Sequence, residues 1–349
     1  MQTVHKLNFK NSSDMNEIDS DVVDLLITSP PYPMIEMWDS LFSANNEEIE
    51  NALKQQNDKK AFNLMHEELN KVWKESVRVI KDGGIACINI GDATRTINNN
   101  FQLFPNHVKT SEFFQKNGFI ELPCILWRKQ TNSPNKFMGS GMLPPNAYIT
   151  LEHEYILIFR KGQNKRKTPP KSKKRYNSAY FWEERNKWFS DVWDDIKGVS
   201  QSLNNSNKLR ERSAAFPLII PYRLINMFSI QGDTVLDPFL GTGTTTLASM
   251  ICARNSVGYE LNSKFLDIFK DNLKDIKLVS NSIINERIIK HLEFVKNYTS
   301  NVKEIKYKAT NYDFPVITQQ EKEIFFYNID KIISIDNSYE IKYNNFKFE

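Results

Sequence analysis

A short apolar run, Thr234-Val235-Leu236, leads straight into Asp237-Pro238-Phe239-Leu240-Gly241-Thr242-Gly243-Thr244. The run reads as a buried parallel strand, and the two glycines as a tight turn into a helix starting near Thr244. This constrains the chain more than any other feature. Open α/β sheets bind nucleotide-like ligands where such a turn leaves the carboxyl end of a strand. A lone Gly-x-Gly also fits an ordinary strand–helix connection. Here, however, Asp237 precedes it, and Glu260 ends the next expected strand, Val257-Gly258-Tyr259. The free N–H groups of a helix N-terminus would hold a pyrophosphate. A carboxylate at Asp237 repels phosphate and suits a cationic amine. Together with the lack of Gly-x-Gly-x-x-Gly, this argues against a dinucleotide-dependent oxidoreductase.

A second run, Val22-Val23-Asp24-Leu25-Leu26-Ile27, feeds Thr28-Ser29-Pro30-Pro31-Tyr32 near the start of the chain. A polar, partly helical surface stretch from Ser43 to Lys60 follows. After it comes an amphipathic helix with Leu69, Val72, Trp73, Val77 and Ile80 on one face, stopped by Lys81-Asp82-Gly83-Gly84. Strands are expected over Ile85–Ile90, Phe119–Trp127 and Glu154–Phe159, with a helix over Ser111–Lys116. The first half therefore alternates strand and helix, and residues 234–260 form another such unit.

The 349 residues suffice for one large α/β domain with an insertion, or for two domains. A net charge of +4 rules out a uniformly basic polymer binder, so any nucleic-acid surface has to come from local clustering. The three cysteines are far apart and form neither a disulfide framework nor a zinc pattern. Neither a signal peptide nor a membrane-spanning run is evident, so a cytoplasmic protein is expected. The five histidines lack metal-ligand spacing.

Ser29-Pro30-Pro31-Tyr32 after a strand resembles the catalytic loop of DNA methyltransferases that modify exocyclic amino groups. With the catalytic loop first and the glycine loop last, the chain resembles the circularly permuted beta group of that family. Serine at the first loop position points to its cytosine-N4 members. The resemblance runs to about residue 298. It implies a Rossmann-like, circularly permuted methyltransferase sheet with an inserted target-recognition region. The expected division is a catalytic half over 1–160, a recognition insertion over 161–209, a cofactor half over 210–298 and a C-terminal extension over 299–349 of unknown role. The helix opening the cofactor half lies within Arg210–Leu224, and the closing helix includes Ile288–Val295.

The resemblance implies S-adenosyl-L-methionine as cofactor, bound by Asp237, Pro238, Phe239, Gly241, Gly243, Thr244 and Glu260. Asp237 would meet its amine and Glu260 its ribose hydroxyls. The expected substrate is duplex DNA with a flipped target base, and a restriction endonuclease is a possible genetic partner. The loop chemistry is consistent with this. An amino group conjugated with a base ring is a poor nucleophile, and accepting hydrogen bonds from both its N–H groups makes the nitrogen more pyramidal and more reactive. Ser29 offers a hydroxyl acceptor and Pro30 a carbonyl. The two prolines stiffen the loop. Tyr32 offers a ring face to an extruded base. Cys124, inside an apolar strand, is read as a core residue rather than a cytosine-C5 nucleophile. Trp38 and Asp39 border the loop, Asp92 reads as a turn or helix-cap residue, and His153 between Glu152 and Glu154 reads as structural.

From Arg160 to Arg175, nine of sixteen residues are Lys or Arg and none is acidic; Tyr176, Tyr180, Phe181, Trp182, Trp188, Phe189 and Trp193 follow. Because this run lies between two halves of a domain, Lys165, Arg166, Lys167, Lys171, Lys173, Lys174 and Arg175 are expected to contact DNA phosphates. The reading is thus a site-specific cytosine-N4 DNA methyltransferase of a restriction-modification system. Adenine-N6 methylation and a catalytically inactive DNA-binding module are the alternatives.

Overall fold

The computed structural model describes residues 1–129, 138–198, 216–301 and 304–348. The expected start of the cofactor half, residues 210–215, and part of the recognition insertion, residues 199–209, lie outside them.

The architecture rests on one ten-stranded mixed sheet. Its strands are β1 (Gln2–Asn8), β2 (Val23–Thr28), β3 (Ile80–Ile90), β4 (Phe119–Arg128), β5 (His153–Lys161), β6 (Val192–Trp193), β7 (Thr234–Asp237), β8 (Asn255–Tyr259), β9 (Tyr327–Ile335) and β10 (Ser338–Asn345). Across the sheet the order is β6-β4-β5-β3-β2-β7-β8-β1-β10-β9. The central block β3-β2-β7-β8-β1 is parallel, as the apolar runs predict. β5 runs antiparallel to both β3 and β4, so the first half is not a plain βαβ repeat.

The chain separates β2 from β7 by some two hundred residues, yet they are neighbours, with Leu25 opposite Val235 and Leu26 opposite Leu236. Their carboxyl ends, which carry the two loops, therefore emerge side by side. β5 starts at the same edge because Tyr155 pairs with Ile90, and it ends at the far edge, where Arg160 pairs with Ile85.

The amphipathic helix spans Asp58–Val79 and buries Leu69, Val72 and Trp73 against the sheet. Ile80 is not its last turn but the first residue of β3. Lys81–Gly84 lies within that strand, where the pairing with β2 slips between Val23 and Leu25. The other core helix of the first half starts earlier than expected and covers Asn106–Lys116. Thr244–Ile251 follows the glycine loop, and the closing helix runs over Ile276–Asn301.

Two expectations about domain limits meet a more integrated structure. Within the insertion, Phe181, Trp188 and Trp193 are buried, and β6 joins the main sheet. Arg287 of the closing helix makes a two-point ion pair with Glu184. Beyond residue 300 the hairpin β9–β10 extends the sheet along β1.

Candidate active site

At the carboxyl edge of the parallel block, Ser29, Pro30, Asp237, Phe239, Gly241 and Glu260 line a single cleft of about 410 Å³. The glycine loop is locked by its own backbone. Gly243, with φ +82°, is the last residue before the helix, and a Cβ there would stand 2.3 Å from the Phe269 ring. Glycine thus meets both a left-handed conformation and a close approach.

Glu260 lies just past β8 and binds this loop directly. Its Oε2 accepts from the Gly241 N–H at 2.9 Å and its Oε1 from the Asn262 N–H at 2.9 Å. A carboxylate has lone pairs left after two such bonds, so Glu260 can still accept from ligand hydroxyls. Burial raises its pKa. Asp237 is buried, and its Oδ1 accepts from the Thr28 hydroxyl at 2.6 Å and the Phe239 N–H at 3.1 Å. Burial pushes its pKa up to about 6. Among the described residues no cationic side chain pairs with this buried carboxylate, and that is the environment a ligand ammonium group would relieve. Asp237, Glu260 and the glycine turn therefore fit a ligand that carries an amine and vicinal hydroxyls. Pro238 and Thr244 also line the cleft, and Phe239 meets Trp73 edge-on at 5.6 Å.

The catalytic loop differs from expectation at Tyr32. Its ring is only 7% exposed and does not line the cleft; it lies against Gly91, where a Cβ would stand 2.9 Å from a ring carbon. The hydroxyl draws the ring inward, since it donates to Glu154 Oε2 at 2.9 Å and sits 3.0 Å from Ser29 Oγ. Tyr32 offers no free face for a base here, and Trp38 is an aromatic side chain that does line the cleft. Ser29, Pro30 and Pro31 line it as the sequence suggests.

Three residues at this edge escaped the sequence reading: Asn89 at the end of β3, Glu154 near the start of β5, and Lys129 just past β4. Asn89 Nδ2 lies 2.7 Å from Glu154 Oε2 and 2.9 Å from Tyr32 Oη, and Lys129 Nζ lies 2.9 Å from Glu154 Oε1. The available signal was a lone Asn in the apolar run Ile85–Ile90 and an acid opening an apolar strand. Of the other residues singled out, Asp92 accepts from the His107 N–H at 3.1 Å, in the manner of a helix cap. Asp39 pairs with Arg95. His153 packs edge-on against Tyr155. Cys124 is half-buried within β4, and burial raises its thiol pKa.

The basic run leaves β5 at the far edge of the sheet. Arg166 pairs there with Asp233 and Asp24, at the amino ends of β7 and β2. Its guanidinium is thus committed to the fold, which corrects its assignment to DNA. Lys174 Nζ comes within 3.6 Å of the position a Cβ on Gly232 would take, at the same far edge. Lys165, Lys167, Lys171, Lys173 and Arg175 belong to the same segment, away from Ser29 and Asp237.

Comparison with known proteins agrees with this geometry. Residues 23–271 match the model of the DNA methylase family of N6 and N4 methyltransferases, and the chain belongs to that family. The type II methyltransferase M.MthZI of Methanothermobacter thermautotrophicus is 56% identical over 329 residues, 94% of this chain and 91% of that protein. M.MjaI of Methanocaldococcus jannaschii, also a type II methyltransferase, is 54% identical over 78% of this chain and 91% of its own length. Among solved structures, a putative DNA modification methylase from Thermus thermophilus, complexed with S-adenosyl-L-methionine, superposes with a TM-score of 0.61 at 29% identity, covering 78% of this chain and 94% of that one. The cytosine-N4-specific PvuII DNA methyltransferase shares the fold, with a TM-score of 0.51 at 16% identity over 81% of this chain and 94% of its own.

Proposed function

We propose that this chain is a site-specific DNA methyltransferase that uses S-adenosyl-L-methionine and methylates the N4 amino group of cytosine in a short duplex sequence. The observation that carries the reading is the shared cleft: Ser29-Pro30 and the Asp237–Glu260 loop system line it from adjacent strands. The earlier chain position of the catalytic loop supports the permuted arrangement.

When bound, S-adenosyl-L-methionine supplies an electrophilic methyl group on a sulfonium. Asp237 holds the amine end, Glu260 takes the ribose hydroxyls, and the glycine loop allows close approach. Ser29 Oγ and the Pro30 carbonyl accept from the two N–H groups of the flipped base, turning the nitrogen lone pair toward the cofactor. The rigid loop fixes the approach in line, so positioning supplies much of the rate. Serine at position 29 supports cytosine over adenine. The type II names of the relatives support a role in protecting host DNA beside a restriction endonuclease.

The test is methylation of mixed-sequence duplex DNA by the purified protein, followed by mass spectrometry of the nucleosides. N4-methylcytosine is expected. N6-methyladenine would replace the base assignment while keeping the enzyme class, and no methyl transfer would leave a DNA-binding module.

A further inference from the structure

Four neighbouring elements each send a polar side chain to one point behind the catalytic loop. The loop after β2 gives Ser29 and Tyr32, β3 gives Asn89, β5 gives Glu154, and the end of β4 gives Lys129. Glu154, whose side chain is 12% exposed, is the hub. Its Oε2 accepts from Tyr32 Oη at 2.9 Å and Asn89 Nδ2 at 2.7 Å, and its Oε1 pairs with Lys129 Nζ at 2.9 Å. Ser29 Oγ is 3.0 Å from Tyr32 Oη. Asn89 Nδ2 also reaches Tyr32 Oη at 2.9 Å, and its own buried Oδ1 has no hydrogen-bond partner among the described residues.

The carboxylate fixes the direction of every bond in this chain. An ionised carboxylate can only accept, so the single proton of Tyr32 must point to Glu154. The Tyr32 oxygen can then accept from Ser29, which turns the Ser29 lone pairs toward the cleft. That is the polarity required of an acceptor for an amino N–H. Burial and the nearby Glu154 charge raise the Tyr32 pKa, which keeps the phenol protonated and donating.

We infer that Glu154 is the proton acceptor for methyl transfer, reached through Ser29 and Tyr32. The inference rests on the proposed role of Ser29 at the target amino group. Once methylated, the nitrogen carries a positive charge and must lose a proton. Its N–H bond breaks and the electron pair stays on nitrogen as its lone pair. The proton passes to Ser29 Oγ, the Ser29 proton passes to Tyr32 Oη, and the Tyr32 proton passes to Glu154 Oε2. The nitrogen returns to neutral and the carboxylate becomes a neutral acid, so charge and protons balance within the chain. Lys129 Nζ sits 2.9 Å from the other carboxylate oxygen, on the side away from Tyr32. Glu154 does not touch the base; it acts as a positioning residue through the two hydroxyls.

The test compares wild type with Glu154→Gln, Tyr32→Phe, their double variant and Ser29→Ala. Single-turnover methylation at saturating DNA and cofactor is measured alongside equilibrium affinities for S-adenosyl-L-methionine and DNA. Glu154→Gln and Tyr32→Phe should each slow the step roughly a hundredfold, the scale of lost general-base catalysis. Both affinities should stay within twofold of wild type. The double variant should be no slower than either single one, because both cut the same chain. A wild-type rate in Glu154→Gln, multiplicative losses in the double variant, or losses that appear in affinity rather than rate would overturn the inference. If wild type methylates an amino group and Ser29→Ala is slow while Glu154→Gln is not, only the relay falls. If wild type methylates no amino group, the underlying reading falls with it.

Discussion

Thr28 donates its hydroxyl hydrogen to Asp237 across 2.6 Å, tying the last residue of β2 to the last residue of β7. The two loops of the site are thereby joined at their roots, inside the core, where Thr28 is fully buried. Thr28→Val keeps the shape and deletes the donor, leaving Asp237 Oδ1 with the Phe239 N–H alone. Removing one partner of a buried polar pair costs about 1–3 kcal/mol. Denaturant unfolding should register that loss, together with weaker cofactor binding by calorimetry. An unchanged unfolding midpoint would show the bond to be energetically idle.

Cofactor binding should weaken in mild acid. Burial holds the Asp237 pKa near 6, so the carboxylate that would face an ammonium group takes up a proton as pH falls through that value. Affinity should be flat above pH 7 and fall by up to about tenfold per pH unit below 6. Asp237→Asn should bind weakly and without this acid limb. For folding the sign is reversed. The native state holds this proton more tightly than the unfolded chain, so the stabilising contribution is present below 3.8 and is lost as pH rises through about 6. Calorimetric titration from pH 5 to 8 checks the binding limb.

Much of this site was legible in the sequence because its parts are local. Ser29-Pro30 and Asp237–Gly243 each follow a strand directly, so strand periodicity and turn chemistry locate them without any long-range information. Tyr32 was legible as a site residue but not in its pose. Its orientation depends on Glu154, which lies over a hundred residues later and reaches the loop only because β5 turns back antiparallel to β3. The sheet edge from which residues 162–175 leave was illegible for the same reason, since the direction of β5 decides it. β9 and β10 carried too weak an alternation to be assigned, because one face of each packs on its neighbours through scattered Tyr and Ile side chains.

Gly243→Ala should be among the most damaging single-methyl changes in the protein. The added carbon would stand 2.3 Å from Phe269 Cδ2, on a backbone with φ +82°. Phe269→Leu in the same chain should relieve part of the crowding but none of the backbone strain. The single variant should lose cofactor binding and at least about 1–3 kcal/mol of stability, with only partial recovery in the double variant. Chemical denaturation of the three proteins separates the two causes.

The ion pair between Arg287 and Glu184 should hold residues 181–188 to the closing helix. Arg287 Nε and Nη2 lie 2.6 and 2.7 Å from the two Glu184 oxygens, Nη1 donates to Tyr222 Oη at 2.9 Å, and the Trp188 and Phe326 rings flank the guanidinium. Breaking one side strands a buried charge, at a cost of about 3–5 kcal/mol, whereas replacing both partners with apolar groups costs far less. Arg287→Met and Glu184→Leu should each be severe, and their combination milder than either. Additive losses in thermal unfolding would contradict the pairing.

The basic segment provides the sharpest separation between binding and catalysis. Lys165, Lys167, Lys171, Lys173 and Arg175 lie in a stretch that leaves β5 at the edge opposite Ser29, so any phosphate they meet is remote from the reacting base. Replacing all five with Gln should weaken DNA binding and lower its log–log salt slope by at most about 0.9 for each phosphate no longer neutralised. The single-turnover rate at saturating DNA should stay at the wild-type value. Arg166→Gln should behave differently from its neighbours. It strips Asp233 of its ion-pair partner among the described residues and leaves the buried Asp24 with Lys81 alone, so the loss should appear as lower stability rather than as a change in salt slope. An unchanged slope in the fivefold variant would take the segment off the DNA. A fall in its saturated rate would instead bring the segment to the target base and contradict its position at the far edge.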